Sequence, residues 1–255
     1  MSENNSFASH FVELRSRLIK SLIFILVIFV ISYTFAEHIY SFLVNPYAEA
    51  VKDDPISRRL IFTALHETFI TYLKVAFFAA IFIGSPFLLI QIYKFIAPGL
   101  YKNEKKALLP YLISTPLLFL FGGMLVYYLV MPLAIKFFLS FESLGSNTNL
   151  PIQLEAKVNE YLSLIMRLIF AFGISFQLPI LLNLLARIGV VNSEYLKKTR
   201  RYVIVIIFTL AAILTPPDPI TQVGLAIPLL LLYELSIITV RFTEKKNKNE
   251  KIEDA

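Results

Sequence analysis

The sequence contains no cysteine, no tryptophan and only three histidines among its 255 residues. The absence of cysteine excludes disulfides, thiolate metal ligands and a cysteine nucleophile. His66 and Glu67 are not followed by a second histidine four residues later, so the zinc motif of metalloprotease helices is absent, and His10 and His38 flank opposite ends of the first apolar run. Glycine-rich phosphate loops and the serine nucleophile motif are also absent. We therefore expect no catalytic residue, no metal site, no cofactor and no enzymatic activity.

Long apolar runs dominate what is present. Hydrophobic residues make up 57% of the sequence and are gathered into blocks. A transmembrane helix needs about 20 mostly apolar residues, because the hydrocarbon layer is about 30 Å thick and each residue rises about 1.5 Å. The runs lack the alternation of membrane barrels, so helices must pair the backbone groups internally. The sequence predicts an all-α polytopic membrane protein with six transmembrane helices, at about 19–36, 69–93, 107–131, 160–186, 202–214 and 221–240.

The last two predicted spans are short. The fifth run holds 13 residues, which cover roughly 20 Å as a helix, less than a normal bilayer. Pro216, Pro217 and Pro219 follow it and cannot continue a helix, so the chain must turn there. We expect spans five and six to form a short hairpin, which either crosses the membrane or re-enters on the same side.

The basic residues predict the orientation of the chain. Seventeen of the 24 Lys and Arg lie before span one, in the loops after spans two and four, and in the tail, whereas five lie on the other side. By the positive-inside rule both termini are cytoplasmic. Topology and lipid headgroups explain the basic charge without a nucleic-acid partner. We expect a single transmembrane domain at 1–242 and a disordered, charged cytoplasmic tail at 243–255, which has few apolar residues to bury.

Three charged residues, Glu13, Arg15 and Arg17, stand immediately before the first span. We expect them on an amphipathic cytoplasmic turn that continues into the membrane helix. Anchoring at the interface explains the arginines, but a carboxylate beside anionic headgroups is unfavourable unless a cation meets it. Arg17, one helical turn after Glu13, is a candidate partner worth only about 0.3–0.5 kcal/mol if the pair is exposed.

A second cytoplasmic carboxylate, Glu104, lies among lysines in the loop after span two. The bland interpretation is a solvated loop charge. The same loop contains apolar residues, among them Phe95 and Leu100, which favour a loop packed against something over one extended into water.

Polar residues inside the predicted spans require a reason. Arg167 lies roughly 10 Å inside span four, Gln177 about 15 Å further on, and Glu234 about 10 Å inside Arg241 of span six. Interhelical hydrogen bonding or a cytoplasmic cation beside Glu234 explains them at least as well as a transport route. Both interpretations stay open at this stage.

Four motifs occur in order along the chain: HFVELRSRL before span one, QIYKFIAPGLYKNEKK after span two, AFGISFQLPILL in span four, and TPPDPITQ followed by AIPLLLLYELS. Together they resemble the TatC family of the twin-arginine translocase. The resemblance covers essentially the whole chain. It implies six helices in a concave, glove-like arrangement, with both termini cytoplasmic and the last two helices short.

The resemblance also implies a function in the bacterial cytoplasmic (inner) membrane. Proteins of this family bind the twin-arginine signal peptides of folded proteins at the cytoplasmic face. They recruit small single-span partners of the TatA and TatB type into a multimeric export conduit that the proton motive force drives. The family's signal-binding carboxylates correspond to Glu13 and Glu104, with Arg15 and Arg17 holding the helix end at the interface. Phe95 and Leu100 are candidates to contact the hydrophobic stretch of the signal.

The family further implies partner contacts on span five and a polar group in span four. Gln177 stands where some relatives carry Glu, which favours a hydrogen-bonding role. Pro46 and Asp218 match positions of the outer, periplasmic cap. The alternative function is a secondary transporter of a small solute or protons, with Arg167, Gln177 and Glu234 along its route.

Overall fold

The computed structural model describes residues 3–52, 58–96, 105–142, 152–187, 189–215 and 219–253. These ranges contain helices and no strand, apart from isolated bridge residues, among them the parallel bridge between Ile61 and Lys157. The all-α prediction is therefore confirmed. The helices are α1 (Glu3–Thr34), α2 (Ala36–Ala50), α3 (Glu67–Ile96), α4 (Lys105–Leu125), a π-helical turn (Val126–Val130), α5 (Met131–Leu139), α6 (Val158–Ser175), α7 (Leu178–Arg187), α8 (Ser193–Leu214) and α9 (Pro219–Glu253).

Several of the described helical segments are long and apolar enough to cross a membrane. A further crossing results if α1 and α2, bent by 79° around Phe35, act as one span. The predicted fifth span lies in α8, whose N-terminal part is strongly charged and whose apolar part is short. The predicted count of six is accordingly not confirmed by length and composition. The four segments that qualify on their own are Glu67–Ile92, Pro110–Leu139, Val158–Arg187 and Thr221–Lys245.

The chain divides into two compact units, which are Met1–Leu43 with Ala64–Leu117, and Val44–Thr63 with Leu118–Ala255. In the first unit α1 packs against α3. Phe24 lies 4.4 Å from Phe87, measured between ring centroids, and a Cβ on Gly84 of α3 would make an ordinary contact with Ile25 of α1 at 3.5 Å. As predicted, α1 carries the residues before span one in the same helix as the apolar run.

In the second unit the helical register changes before a proline. Pro132 lacks an N–H, and its ring would clash with the carbonyl four residues earlier in a regular α-helix. The π-helical turn Val126–Val130 lies directly before α5, and Pro132 occupies the first turn of that helix. The wider π-helical turn makes room for the proline, and the helix continues beyond it. This is expected for a membrane helix whose neighbours satisfy the freed backbone groups.

Helices α4 and α6 cross at a pair of glycines. A Cβ on Gly122 would lie 2.8 Å from the backbone oxygen of Phe172, and a Cβ on Gly173 would lie 2.6 Å from the ring of Phe119. The missing side chain of Gly122 permits the close approach of the two backbones, and that of Gly173 leaves room for the Phe119 ring, which is how small residues promote helix packing in membranes.

A buried cluster joins α7, α8 and α9. Tyr233 of α9 is 4% exposed, and its hydroxyl donates a hydrogen bond to the carbonyl of Leu196 at 2.7 Å. Asn183 of α7 donates to the Thr239 hydroxyl of α9 at 2.6 Å and accepts from the Thr243 hydroxyl at 3.1 Å. The hydrocarbon layer contains no water, so such bonds give these polar groups the partners that water would otherwise provide.

The segments between helices in the second unit are held by a buried ion pair. Arg58 donates two hydrogen bonds of 2.5 Å to the carboxylate of Glu142, which also accepts from the backbone N–H of Leu154 at 2.6 Å. Nearby, the N–H of Ile61 donates to the carbonyl of Ala156 at 3.1 Å. One carboxylate thus ties together three stretches of chain.

The last helix extends into the C-terminal segment, where α9 continues as far as Glu253. Lys and Glu are favourable helix formers, and a segment that extends an existing helix does not incur the cost of nucleation. The division into a domain at 1–242 and a separate tail stays a prediction.

Candidate functional site

The predicted cytoplasmic cluster before span one forms a polar site between α1 and α3. Glu13 Oε1 accepts hydrogen bonds from Arg17 Nε at 3.0 Å and from Arg17 Nη2 at 2.5 Å. Arg17 Nη1 donates to Gln91 Oε1 of α3 at 3.1 Å. The guanidinium therefore uses its fork to hold a carboxylate of its own helix and an amide of the neighbouring helix. The predicted i,i+4 pair between Glu13 and Arg17 is present.

Both side chains of this ion pair are partly exposed. The side chain of Glu13 is 36% exposed and that of Arg17 is 22% exposed. Both hydrogen bonds fall on Oε1, and no donor among the described residues lies on Oε2. A partly solvated ion pair of this kind contributes only about 0.3–0.5 kcal/mol, so its main effect is to orient the carboxylate.

The structure describes two of the other four residues predicted for this site. Arg15 is exposed on α1, and Phe95 is half-buried near the end of α3, one helical turn beyond Gln91 and therefore on the same face. Glu104 and Leu100 lie outside the residues that the structure describes, so their position beside Glu13 stays a prediction.

The three predicted intramembrane polar residues lie on α6, at the break between α6 and α7, and on α9. Glu234 of α9 forms an ion pair with Arg200 of α8 at 2.6 Å, so it is paired with a cation, and the cytoplasmic side of that cation stays a prediction. Gln177 is half-buried at the break between α6 and α7, where its backbone N–H donates to Ile174 O at 3.0 Å. Arg167 is exposed on α6 and forms no ion pair within the part of the chain that the structure describes.

The structure describes one of the two predicted outer-side positions. Pro46 is buried inside α2, a helix of 15 residues that follows α1, and its place in the periplasmic cap stays a prediction. The next residue, Tyr47, contacts Tyr161 of α6 with ring centroids 5.6 Å apart. Asp218 lies outside the described residues.

Several residues that hold these sites were not predicted from the sequence. Gln91 is part of the QIYKF motif, and a lone amide at the end of an apolar run was the signal available for it. Glu244 accepts hydrogen bonds from the backbone N–H and the hydroxyl of Ser193, both at 2.7 Å, and so caps the start of α8. No local pattern pointed to Ser193, because the bond joins residues far apart in the chain.

Together, the apolar helices and the polar cluster at one end of α1 and α3 define a polytopic, all-helical membrane protein. Comparison with known proteins specifies its kind. The sequence pattern of the family described as "Sec-independent protein translocase protein (TatC)" matches residues 9–228.

Curated relatives carry the same name. One from Magnetococcus marinus is 48% identical over 94% of this chain and 86% of the relative. One from Rickettsia prowazekii is 47% identical over 94% of both chains, and one from Escherichia coli K12 is 35% identical over 98% of this chain and 93% of the relative. A crystal structure described as "Twin Arginine Translocase Receptor- TatC" is similar with a TM-score of 0.78 and 38% identity, covering 92% of this chain and 99% of that one.

The chain belongs to the TatC family. It is a multi-pass membrane subunit of the twin-arginine protein translocase, a machinery in which it works with other Tat proteins. The family is a component of protein translocation and not an enzyme family, in agreement with the sequence-based expectation. The alternative of a secondary transporter is wrong, because the family membership extends over nearly the whole chain.

Proposed function

We propose that this chain is the receptor for twin-arginine signal peptides of folded proteins, and that Glu13 and Glu104 bind the two arginines at the cytoplasmic face. The observation that carries the proposal is the Glu13 carboxylate, which Arg17 orients through Oε1 and which belongs to a partly exposed side chain. The excess of Lys and Arg on the N-terminal side supports a cytoplasmic location for this end of α1.

The chemistry favours arginine as the guest. A guanidinium is planar and pairs with a carboxylate through parallel N–H groups, whereas lysine offers a single point charge. A guest arginine reaches Oε2 of Glu13 without displacing Arg17, and Arg15 holds this end of the helix at the interface. Gln91 keeps Arg17 in place by accepting its third hydrogen bond.

Charge pairing alone does not supply the affinity. Two partly exposed pairs contribute about 1–3 kcal/mol, whereas micromolar binding needs about 8 kcal/mol. We assign the remainder to apolar contacts of the signal's hydrophobic stretch with Phe95 and Leu100. The half-buried position of Phe95, one turn beyond Gln91, supports this assignment.

We further propose that the chain recruits single-span partners of the TatA and TatB type in a bacterial inner membrane, with both termini cytoplasmic. Several copies assemble into the conduit, and the proton motive force drives transport. Arg167 supports a partner contact within the membrane, because an exposed charge about 13 Å inside the segment Val158–Arg187 is costly unless a polar group meets it. Gln177 and Glu234 supply further polar contacts, and Pro46 and Asp218 belong to the periplasmic cap.

Signal binding is tested by substituting each carboxylate in turn. We expect Glu13→Ala and Glu104→Ala to abolish export of a folded reporter with an Arg-Arg signal while the chain still inserts. Ser16→Ala, at an exposed position of the same helix, is the matched control and should export like the wild type. Site-specific crosslinking from positions 13 and 104 to a signal peptide should give an adduct with an Arg-Arg signal and a weaker one with Lys-Lys.

Two results would reject the proposal. Export at the wild-type rate by both alanine variants would remove the carboxylates from the signal site. Normal co-purification of TatA-type partners together with no signal crosslink at either position would indicate a scaffold that organises other subunits without reading the signal.

A further inference from the structure

A basic pocket of about 390 Å³ lies between α8 and α9, apart from the residues assigned above to signal binding. Lys197 and Arg200 line it from α8, and Glu234, Arg241 and Lys245 line it from α9. On each helix these residues follow intervals of three, four or seven, so they share one face. The pocket therefore collects four cations and one carboxylate where two helices meet.

The charges in the pocket are unequally compensated. Arg200 is paired with Glu234 at 2.6 Å, and both side chains are about half exposed, at 46% and 47%. Lys197, Arg241 and Lys245 are exposed and form no ion pair or hydrogen bond within the described part of the chain. Three like charges around one opening repel one another, and an anion between them relieves that repulsion.

The pocket also has an apolar side. Ile238 and Phe242 contribute to its lining and are 51% and 67% exposed. Glu234 lies about 16 Å from Lys245 along α9, so the lining runs from the membrane part of the helix to its charged end. A ligand that fits combines a negative headgroup with hydrocarbon, which a free inorganic anion does not.

The position along the helix supports a lipid. Arg241 and Lys245 lie at the end of the apolar segment Thr221–Lys245, where phospholipid headgroups are found. Basic pockets between transmembrane helices at this level are a recognised way of binding anionic headgroups. Two hydrogen bonds from Ser193 to Glu244 form a second link between α8 and α9, and this link fixes the start of α8 against the charged part of α9.

We propose that this pocket is a specific site for the phosphodiester headgroup of an anionic phospholipid. Lys197, Arg241 and Lys245 surround the phosphate, and an acyl chain lies along Ile238 and Phe242. The ion pair with Glu234 holds Arg200 at the end of the pocket that lies within the membrane. Arg200 there limits how far the headgroup enters.

The test uses the full chain, purified in detergent and stripped of lipid. Phosphatidylglycerol, phosphatidylcholine and inorganic phosphate are added separately, and bound lipid is counted by native mass spectrometry across a concentration series. The test variant combines Lys197→Gln, Arg241→Gln and Lys245→Gln. The control combines Lys20→Gln, Lys94→Gln and Lys198→Gln, which removes the same charge from exposed positions outside the pocket.

The wild type and the control variant should bind phosphatidylglycerol with the same affinity and prefer it to phosphatidylcholine. The pocket variant should bind it on the order of 100-fold more weakly, at roughly 5-fold per cation removed. An equal loss in the control variant would overturn the proposal in favour of diffuse surface charge. Displacement of phosphatidylglycerol by inorganic phosphate at similar concentration would also overturn it, since the site would then recognise a free anion.

A second variant separates the lipid chain from the headgroup. Phe242→Ser should weaken binding of long-chain phosphatidylglycerol more than that of its short-chain, water-soluble form, because only the long chain extends along this residue. Equal effects on both forms would contradict the assigned position of the acyl chain. Circular dichroism of every variant verifies its helix content, and the three single Lys or Arg substitutions replace the triple variant if that variant unfolds.

Discussion

Arg58 and Glu142 form a bidentate ion pair although 84 residues separate them in the chain, and their side chains are only 7% and 11% exposed. Removing one member of a buried pair leaves an uncompensated charge, which typically costs about 3–5 kcal/mol. Glu142 also accepts a hydrogen bond from the backbone of Leu154, so its loss removes the acceptor of a partly buried N–H as well. The pair therefore holds these segments of the second unit together.

We predict that Arg58→Ala and Glu142→Ala each lower the free energy of unfolding by about 3–5 kcal/mol. The double variant should cost clearly less than the sum, because the two residues are coupled. The measurement is thermal unfolding in detergent, followed by circular dichroism because the chain has no tryptophan. Strict additivity of the two single effects would contradict the pairing, and Arg59→Ala is the control, since Arg59 is 77% exposed.

We predict that Gly122→Ala destabilises the chain by about 1–3 kcal/mol, as overpacking typically does. The new Cβ would lie 2.8 Å from the backbone oxygen of Phe172, and a backbone cannot rotate away as a side chain can. Gly84→Ala is the matched control, because its Cβ would meet only ordinary contacts at 3.5 Å or more. Alanine is also the better helix former, so the control should be neutral or slightly more stable. Comparable loss in both variants would exclude a steric cause.

We predict that Asn183→Ala lowers the stability of the contact between α7 and α9 by roughly 1–2 kcal/mol. The amide makes hydrogen bonds to Thr239 and Thr243 across the helix interface. The coupling should appear in a double-mutant cycle with Thr239→Val, measured by thermal unfolding. Thr209→Val removes only a bond within α8, from its hydroxyl to Val205 O, and should have little effect. Zero coupling energy in the cycle would show that the bond does not contribute.

We predict that Arg17→Lys weakens binding of an Arg-Arg signal peptide about 2- to 5-fold, through loss of orientation and not of charge. Lysine cannot hold both Glu13 and Gln91 with the fixed fork of a guanidinium. Gln91→Leu should act in the same direction, and Gln91→Glu should restore a partner for the arginine. Binding is measured by titration of a labelled peptide. A larger effect of Arg17→Lys than of Glu13→Gln would contradict a positioning role.

Sequence patterns predicted most of the helices but not their details. Runs of apolar residues placed spans two, three, four and six to within a few residues at most ends, yet α5 extends span three to Leu139. The helix α2 was missed because its residues lie outside any long apolar run. The polar start of α8 was missed for the same reason, although Asn192 provides an N-cap through a 2.7 Å bond from the Tyr195 N–H.

The candidate site was predicted in part. Glu13 and Arg17 are one helical turn apart, so a helix suffices to bring them together, and their pairing was accessible from the sequence. Gln91 lies 74 residues from Arg17 and meets it only because α1 packs against α3. The sequence suggested that Glu234 pairs with a cation. That this cation is Arg200 depends on the packing of α8 on α9.

The sequence by itself determined that this protein is a helical membrane protein of the TatC family. Span length and apolar composition are local properties, and the thickness of the bilayer converts them directly into helices. The tertiary structure alone decided which side chains from distant segments meet, as at Arg58 with Glu142, at the glycine crossing of α4 and α6, and in the basic pocket between α8 and α9. Those contacts depend on how helices distant in sequence pack side by side, and no local pattern encodes that packing.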